Sequence, residues 1–172
     1  MIEKGTKKSP LFILIFKHKM NESKIRDLVD EALAENESLY LIDLVISSNN
    51  KIQVTVDGDN GVNLSECVRI SRNVEHNLDR DEEDFSLEVT TPDISHPLKI
   101  KRQYKKNINR ILKVKTELEN FEGTLTSVNE EEIELKWKAR EPKPIGKGKV
   151  TVEKKVTIPY KDIKEAKVKI VF

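Results

Sequence analysis

Six cations fall within twelve positions at Lys99, Lys101, Arg102, Lys105, Lys106 and Arg110. That density exceeds what solubility requires. It suits phosphate binding, which is sequence-independent and weakens with salt. If the segment is helical, Arg102, Lys105 and Lys106 share a face at i, i+3 and i+4. A second cluster, Lys143, Lys147 and Lys149, sits in a stretch (Glu141 to Lys149) with two prolines and two glycines, read as a long loop. A plain solvated charged surface stays open as the reading of either cluster alone.

Other residue types offer less chemistry. Asp57-Gly58-Asp59-Asn60-Gly61 lacks the ligand spacing and distal Glu of a calcium loop, so turn residues explain it better. Its Gly58-to-Gly61 spacing matches a GXXG RNA clamp, but Asp57 and Asp59 would repel phosphate. Asp81-Glu82-Glu83-Asp84 reads as a solvated acidic loop, or as an attraction for a basic protein. His18, His76 and His96 are scattered, with no second ligand at metal spacing. Cys67, the single cysteine, lies on the apolar face of an expected helix and reads as core. No nucleophile–base arrangement or phosphate cradle is signalled, so the expectation is no enzyme, no cofactor and no metal.

The surroundings of these residues are strongly polarised. The net charge is +1, yet residues 98–172 hold 20 Lys and Arg against 11 Asp and Glu. Residues 1–97 hold 11 against 19. The second half should attract nucleic acid and the first should repel it. Aromatics are only 5% of the chain, which argues against a broad base-stacking platform. Leu11 to Phe16 is too short to span a membrane, and Lys17, His18 and Lys19 replace a signal cleavage site. Residues 1–19 are expected to be a disordered extension, with Met20 a candidate start. A lone cysteine fits a reducing, cytoplasmic setting.

The elements follow from periodicity. Ile25, Leu28, Val29, Ala32 and Leu33 form one helical stripe, capped at Asn21 or Ser23 and ending near Asn36. Tyr40 to Ile46 and the alternating Ile52, Val54 and Val56 read as a hairpin around Ser47 to Asn50. Asn63 and Glu66 resemble a capping box before the stripe Leu64 to Leu78. Phe85, Leu87 and Val89 give a third strand. Residues 20–97 are thus an α-β-β-α-β two-layer sandwich, loosely KH-like. Thr91-Pro92 and His96-Pro97 mark a linker. Residues 98–172 carry five short strands and one long loop, with a helical turn at Tyr160 to Ile163. This suggests a small SH3-like or Sm-like barrel.

Taken in order, four segments resemble the bacterial ribosome maturation factor RimP family, over about Ile25 to Val171. They are Val54-Thr55-Val56-Asp57-Gly58; Leu64 to Arg72 with Leu78-Asp79; Leu87-Glu88-Val89-Thr90-Thr91-Pro92 with Pro97-Leu98; and Phe121-Glu122-Gly123-Thr124-Leu125 with Ile158 to Ala166. At the third, Thr90 and Thr91 replace the family's serines, Asp93 its glycine, and Ser95-His96 its acidic-basic pair, keeping a hydroxyl-rich proline turn. The resemblance implies a non-catalytic, monomeric, cytoplasmic assembly factor. It implies binding to the maturing small ribosomal subunit, to the small-subunit protein near the decoding centre and to adjacent ribosomal RNA. An Sm-like regulator of free transcripts is the rival reading; a metal-dependent enzyme on RNA is a second.

Overall fold

The computed structural model describes residues 21–80 and 84–170. The expectations for residues 1–19, for Met20 and for most of the 81–84 acidic run lie outside the described residues.

The order is α1 (Glu22–Ala34), β1 (Leu39–Ile46), β2 (Lys51–Gly58), α2 (Leu64–Asn77), β3 (Ser86–Thr90), α3 (Lys101–Lys106), β4 (Ile111–Thr116), β5 (Asn120–Val128), β6 (Glu132–Pro142), β7 (Lys149–Pro159), a 3-10 turn (Tyr160–Asp162) and β8 (Ile163–Val168). Two sheets result. One is β1-β2-β3, with β1 antiparallel and β3 parallel to β2. The other is β7-β6-β5-β4-β8, antiparallel throughout.

Helix α1 starts where the Asn21 carboxamide oxygen accepts the Lys24 N–H at 3.2 Å. Its stripe Ile25, Val29, Ala32 and Leu33 is buried. The stripe packs with Ile52, Val54 and Val56 of β2 and with Ile70 and Val74 of α2 in one core. Removing each of the Ile, Val and Leu side chains from water contributes roughly 1.5–3 kcal/mol. At α2, Asn63 caps the Glu66 N–H at 2.9 Å. The expected reciprocal bond from Glu66 is not among its bonds: its carboxylate accepts Arg69 at 2.6 Å and Asn36 at 3.4 Å instead. Arg69 also donates to the Ala32 carbonyl at 2.6 Å, tying α2 to the end of α1. The charged partner outcompetes a backbone amide for the carboxylate. It also holds the Glu66 carboxyl below its ordinary range.

The second core holds Tyr104, Leu112, Val114, Leu125, Ile133, Leu135, Ile158, Ala166 and Val168. The 3-10 turn falls where expected. The long loop does not: β6 runs to Pro142 and β7 starts at Lys149. Only residues 143–148 connect them, because the strand pairing continues as far as Pro142 opposite Lys149. Cys67 is half-buried, not a core residue, and burial pushes its thiol up. His76 and His96 are exposed.

Among the described residues no helix is long and apolar enough to cross a membrane.

Candidate nucleic-acid interface

The basic segment at Lys99 to Arg110 is helical only over Lys101–Lys106. The Gln103 side-chain oxygen accepts the N–H groups of Lys99 and Ile100 at 2.7 and 3.3 Å, closing the helix start. Gln103 and Tyr104 are buried, which seats α3 on the second core. Tyr104 meets Tyr160 edge-on at 5.2 Å, and burial pushes its phenol up to about 12.

With that face buried, the cations find partners on two sides of the helix. Arg102 and Lys106, one turn apart, point at the turn after β2. The Arg102 guanidinium grips Asp59 through two bonds of 2.9 and 2.6 Å and donates to the Glu37 carbonyl at 2.6 Å. It also lies over the Tyr40 ring at 4.6 Å. These bonds hold the Asp59 carboxyl below its ordinary range and raise the guanidinium. Lys106 donates to Asp57 at 2.6 Å. Asp57 is buried and also accepts the Gly58 N–H at 2.8 Å and the Tyr40 hydroxyl at 3.3 Å. Burial, then the Asp57 charge, push the Tyr40 phenol well up. Lys99 pairs with Asp43 on β1.

On the other side, Lys105 pairs with Glu130 at 3.2 Å and Lys101 donates to the Glu130 carbonyl. Lys101 also sits over the Tyr160 ring at 5.2 Å. Arg102, Lys105 and Lys106 line one open hollow with Lys101 and Asp59, as their spacing predicts, but each is tied to its own carboxylate, Asp59, Glu130 and Asp57. Sequence spacing could not reveal which side of a six-residue helix would be buried.

The Asp57–Gly61 turn is accordingly the landing point of α3. Gly58 is required there, since a Cβ would lie 2.7 Å from the Gly61 carbonyl oxygen. The pairs Arg102–Asp59 and Lys106–Asp57 neutralise part of the opposite charge of the two halves across this contact. The charge split is the signal for such pairing, although in the sequence alone it points outward to partners.

The linker brings Thr90 to the end of β3 and leaves Thr91, His96 and Pro97 exposed, with Pro92 half-buried. Asp93 accepts both the N–H and the hydroxyl of Ser95 at 2.7 Å, forming the turn. Leu98 then donates its N–H to the Ala166 carbonyl at 2.8 Å, joining the chain to β8. Between linker and α3 lies a cleft of about 230 Å³, lined in part by Asp57, Pro92, His96, Gln103, Lys106 and Arg110. Arg110 is exposed and donates to the Asn107 side chain at 3.3 Å.

Lys143, Lys147 and Lys149 are brought together at the tip of the β6–β7 hairpin, all exposed. Two further exposed cations, Lys138 and Arg140, precede them on β6. Sequence reasoning missed this pair, although the i, i+2 alternation Lys136, Lys138, Arg140 was the signal. Among the described residues, no group of three or more His, Cys, Asp or Glu could hold a metal ion.

Comparison with known proteins converges on one family. The profile of the RimP N-terminal domain matches residues 28–95. A protein of Christiangramia forsetii named ribosome maturation factor RimP is 58% identical over 153 residues, covering 89% of this chain and 100% of the relative. The namesake from Flavobacterium psychrophilum is 50% identical over 151 residues, covering 88% and 98%. That of Porphyromonas gingivalis is 36% identical over 149 residues, covering 86% and 97%. With identities of 36% to 58% over 86% to 89% of its length, the chain belongs to the RimP family.

Proposed function

We propose that this protein is a non-catalytic ribosome maturation factor that docks on the free small ribosomal subunit. The observation that carries this reading is the 58% identity across the full length of a relative named for ribosome maturation. In this reading it works as a monomer in the cytoplasm. It touches a ribosomal protein near the decoding centre together with adjacent ribosomal RNA.

The chain divides at residue 97 into an α/β unit (20–97), loosely KH-like, and a basic unit (98–172), with 1–19 as an extension. The five-stranded sheet of the basic unit curls into a small SH3-like barrel. In support, Ile158 and Val168, from strands at opposite edges of that sheet, share a core with Leu125 and Leu135. The bulges at Leu125/Ser127 and Lys115/Thr116 supply bends. The basic unit faces RNA through the tip cluster Lys143, Lys147 and Lys149 and through Arg110. Lys99, Lys101, Arg102, Lys105 and Lys106 serve chiefly to hold α3 against Asp43, Glu130, Asp59 and Asp57.

Sedimentation of the purified protein with isolated small subunits, large subunits and assembled ribosomes tests this. The expected result is co-sedimentation with free small subunits alone, weakening from about 50 to 200 mM salt. Equal binding to every RNA species, with a ring-sized particle by light scattering, would favour the Sm-like regulator instead.

A further inference from the structure

The second sheet is uneven. Strand β5 pairs with β6 only as far as Lys136. Strands β6 and β7 nevertheless continue together to Pro142 opposite Lys149. Residues 137–142 and 149–154 therefore form a two-stranded arm with no third strand, about 20 Å long at roughly 3.3 Å per residue.

The two faces of this arm differ in kind. Residues paired across the ladder share a face. One face continues the core outward, from Leu135 through Trp137 and Ala139, opposite Val156, Lys154 and Val152. The other carries Lys136, Lys138 and Arg140 on β6, with Lys149 and Lys155 on β7. Its carboxylates are Glu134 at the base, which takes Lys136 at 3.5 Å and Lys155 at 3.4 Å, and Glu153 opposite Lys138. Lys143 and Lys147 extend the charge around the tip. Among the described residues, Lys138, Arg140, Lys143, Lys147 and Lys149 form no ion pair, in contrast to the cations of α3.

We propose that the cationic face of the β6–β7 arm is the RNA-docking surface, and that it takes the sugar–phosphate backbone of duplex RNA. Side chains two residues apart on a strand stand roughly 6.7 Å apart on one face, a spacing suited to a row of phosphates. The face carries no aromatic ring, and the one tryptophan on the arm points the other way and packs against Phe121 at 6.3 Å. Single-stranded RNA is normally held by stacking. Duplex RNA is held by shape and phosphate contact, which this face offers.

The inference rests on the reading of the protein as a factor that touches ribosomal RNA, and it extends that contact from the tip cluster along the cationic face of the arm. The test is binding of the full-length chain to a fluorescent RNA hairpin stem and to a single strand of the same length, across about 50–200 mM salt. Tight, salt-sensitive binding to the stem over the single strand is expected. K138Q/R140Q/K149Q should weaken it by about tenfold or more and lower the salt slope by about 0.9 for each phosphate it no longer neutralises. Lys24→Gln, on the opposite half of the molecule, should not. The three substituted residues are exposed and outside any ion pair, so far-UV circular dichroism of the triple variant should match the parent.

No preference for the stem, or an unchanged slope in the triple variant, overturns the proposal. So does loss of subunit binding by that variant without loss of RNA affinity, which would assign the arm to an acidic protein. Stem binding through the arm without small-subunit sedimentation would sink the proposed function and leave this inference standing. Sedimentation unaffected by the triple variant, with no stem binding, would do the reverse.

Discussion

Lys106→Met removes the cation from a carboxylate that cannot follow it into water. The Asp57 side chain is 9% exposed and that of Lys106 26%, at 2.6 Å. Deleting one partner of a buried ion pair costs about 3–5 kcal/mol. Here the pair is partly wetted, and the Gly58 N–H and Tyr40 hydroxyl still serve Asp57. The expected loss is therefore about 2 kcal/mol. Asp57→Asn is milder, about 1 kcal/mol, because Lys106 can swing its ammonium into solvent. The double variant should lose no more than Lys106→Met alone, giving a coupling of about 1 kcal/mol, the whole of the Asp57→Asn effect. Urea unfolding at pH 7 measures it, read by far-UV circular dichroism for α1 and α2 and by Trp137 fluorescence for the second sheet. The two probes should coincide in the parent if the α3 contact joins the halves into one cooperative unit. Losses that add to within about 0.5 kcal/mol would refute the buried pair as the joint.

Acid should loosen the same contact. The Asp59 carboxyl is held below its ordinary range first by the hydrogen bonds from Arg102. A carboxylate lowered on folding contributes stability above its unfolded value, about 3.9, and that contribution is lost as pH falls through the folded value. The side chains of Arg102 and Asp59 are 38% and 43% exposed, so solvent screens the effect to a small one. The melting-temperature difference between the parent and Asp59→Asn should thus be present at about pH 6 and shrink steadily below about pH 4. A difference that grows on acidification would contradict the assignment. Separately, Gly123→Ala places a methyl 2.9 Å from the Lys136 carbonyl oxygen and 3.3 Å from the Trp137 ring, at the root of the arm. It should cost about 1–3 kcal/mol and shift Trp137 emission, whereas an unchanged spectrum and stability would mean that β6 yields there without cost.

Local signals were sufficient for the elements of the first half. The Ile25–Leu33 stripe, the Asn21 and Asn63 caps and the alternation in β2 each depend on neighbours within one helical turn or one strand, so composition and period expressed them. The five strands after residue 110 were legible for the same reason, as was the Tyr160–Asp162 turn. The Glu141–Lys149 stretch misled at its ends because proline and glycine normally end a strand, while here cross-strand bonding carries β6 past Arg140 to Pro142. What the sequence determined on its own was the inventory: two apolar cores, an acidic half, a basic half and a dense run of cations. Only the tertiary structure decided which cations are spent internally. Arg102 and Lys106 meet Asp59 and Asp57 from more than 40 positions away. That pairing exists because Gln103 and Tyr104 anchor α3 in the second core and aim the opposite side at the β2 turn. Long-range electrostatic pairing has no local period, so a cation that will be neutralised and one that stays free read identically in sequence. Among the described residues, Lys138, Arg140, Lys143, Lys147 and Lys149 form no ion pair and lie where the chain runs out of neighbours, along the arm beyond the edge of β5 and around its tip.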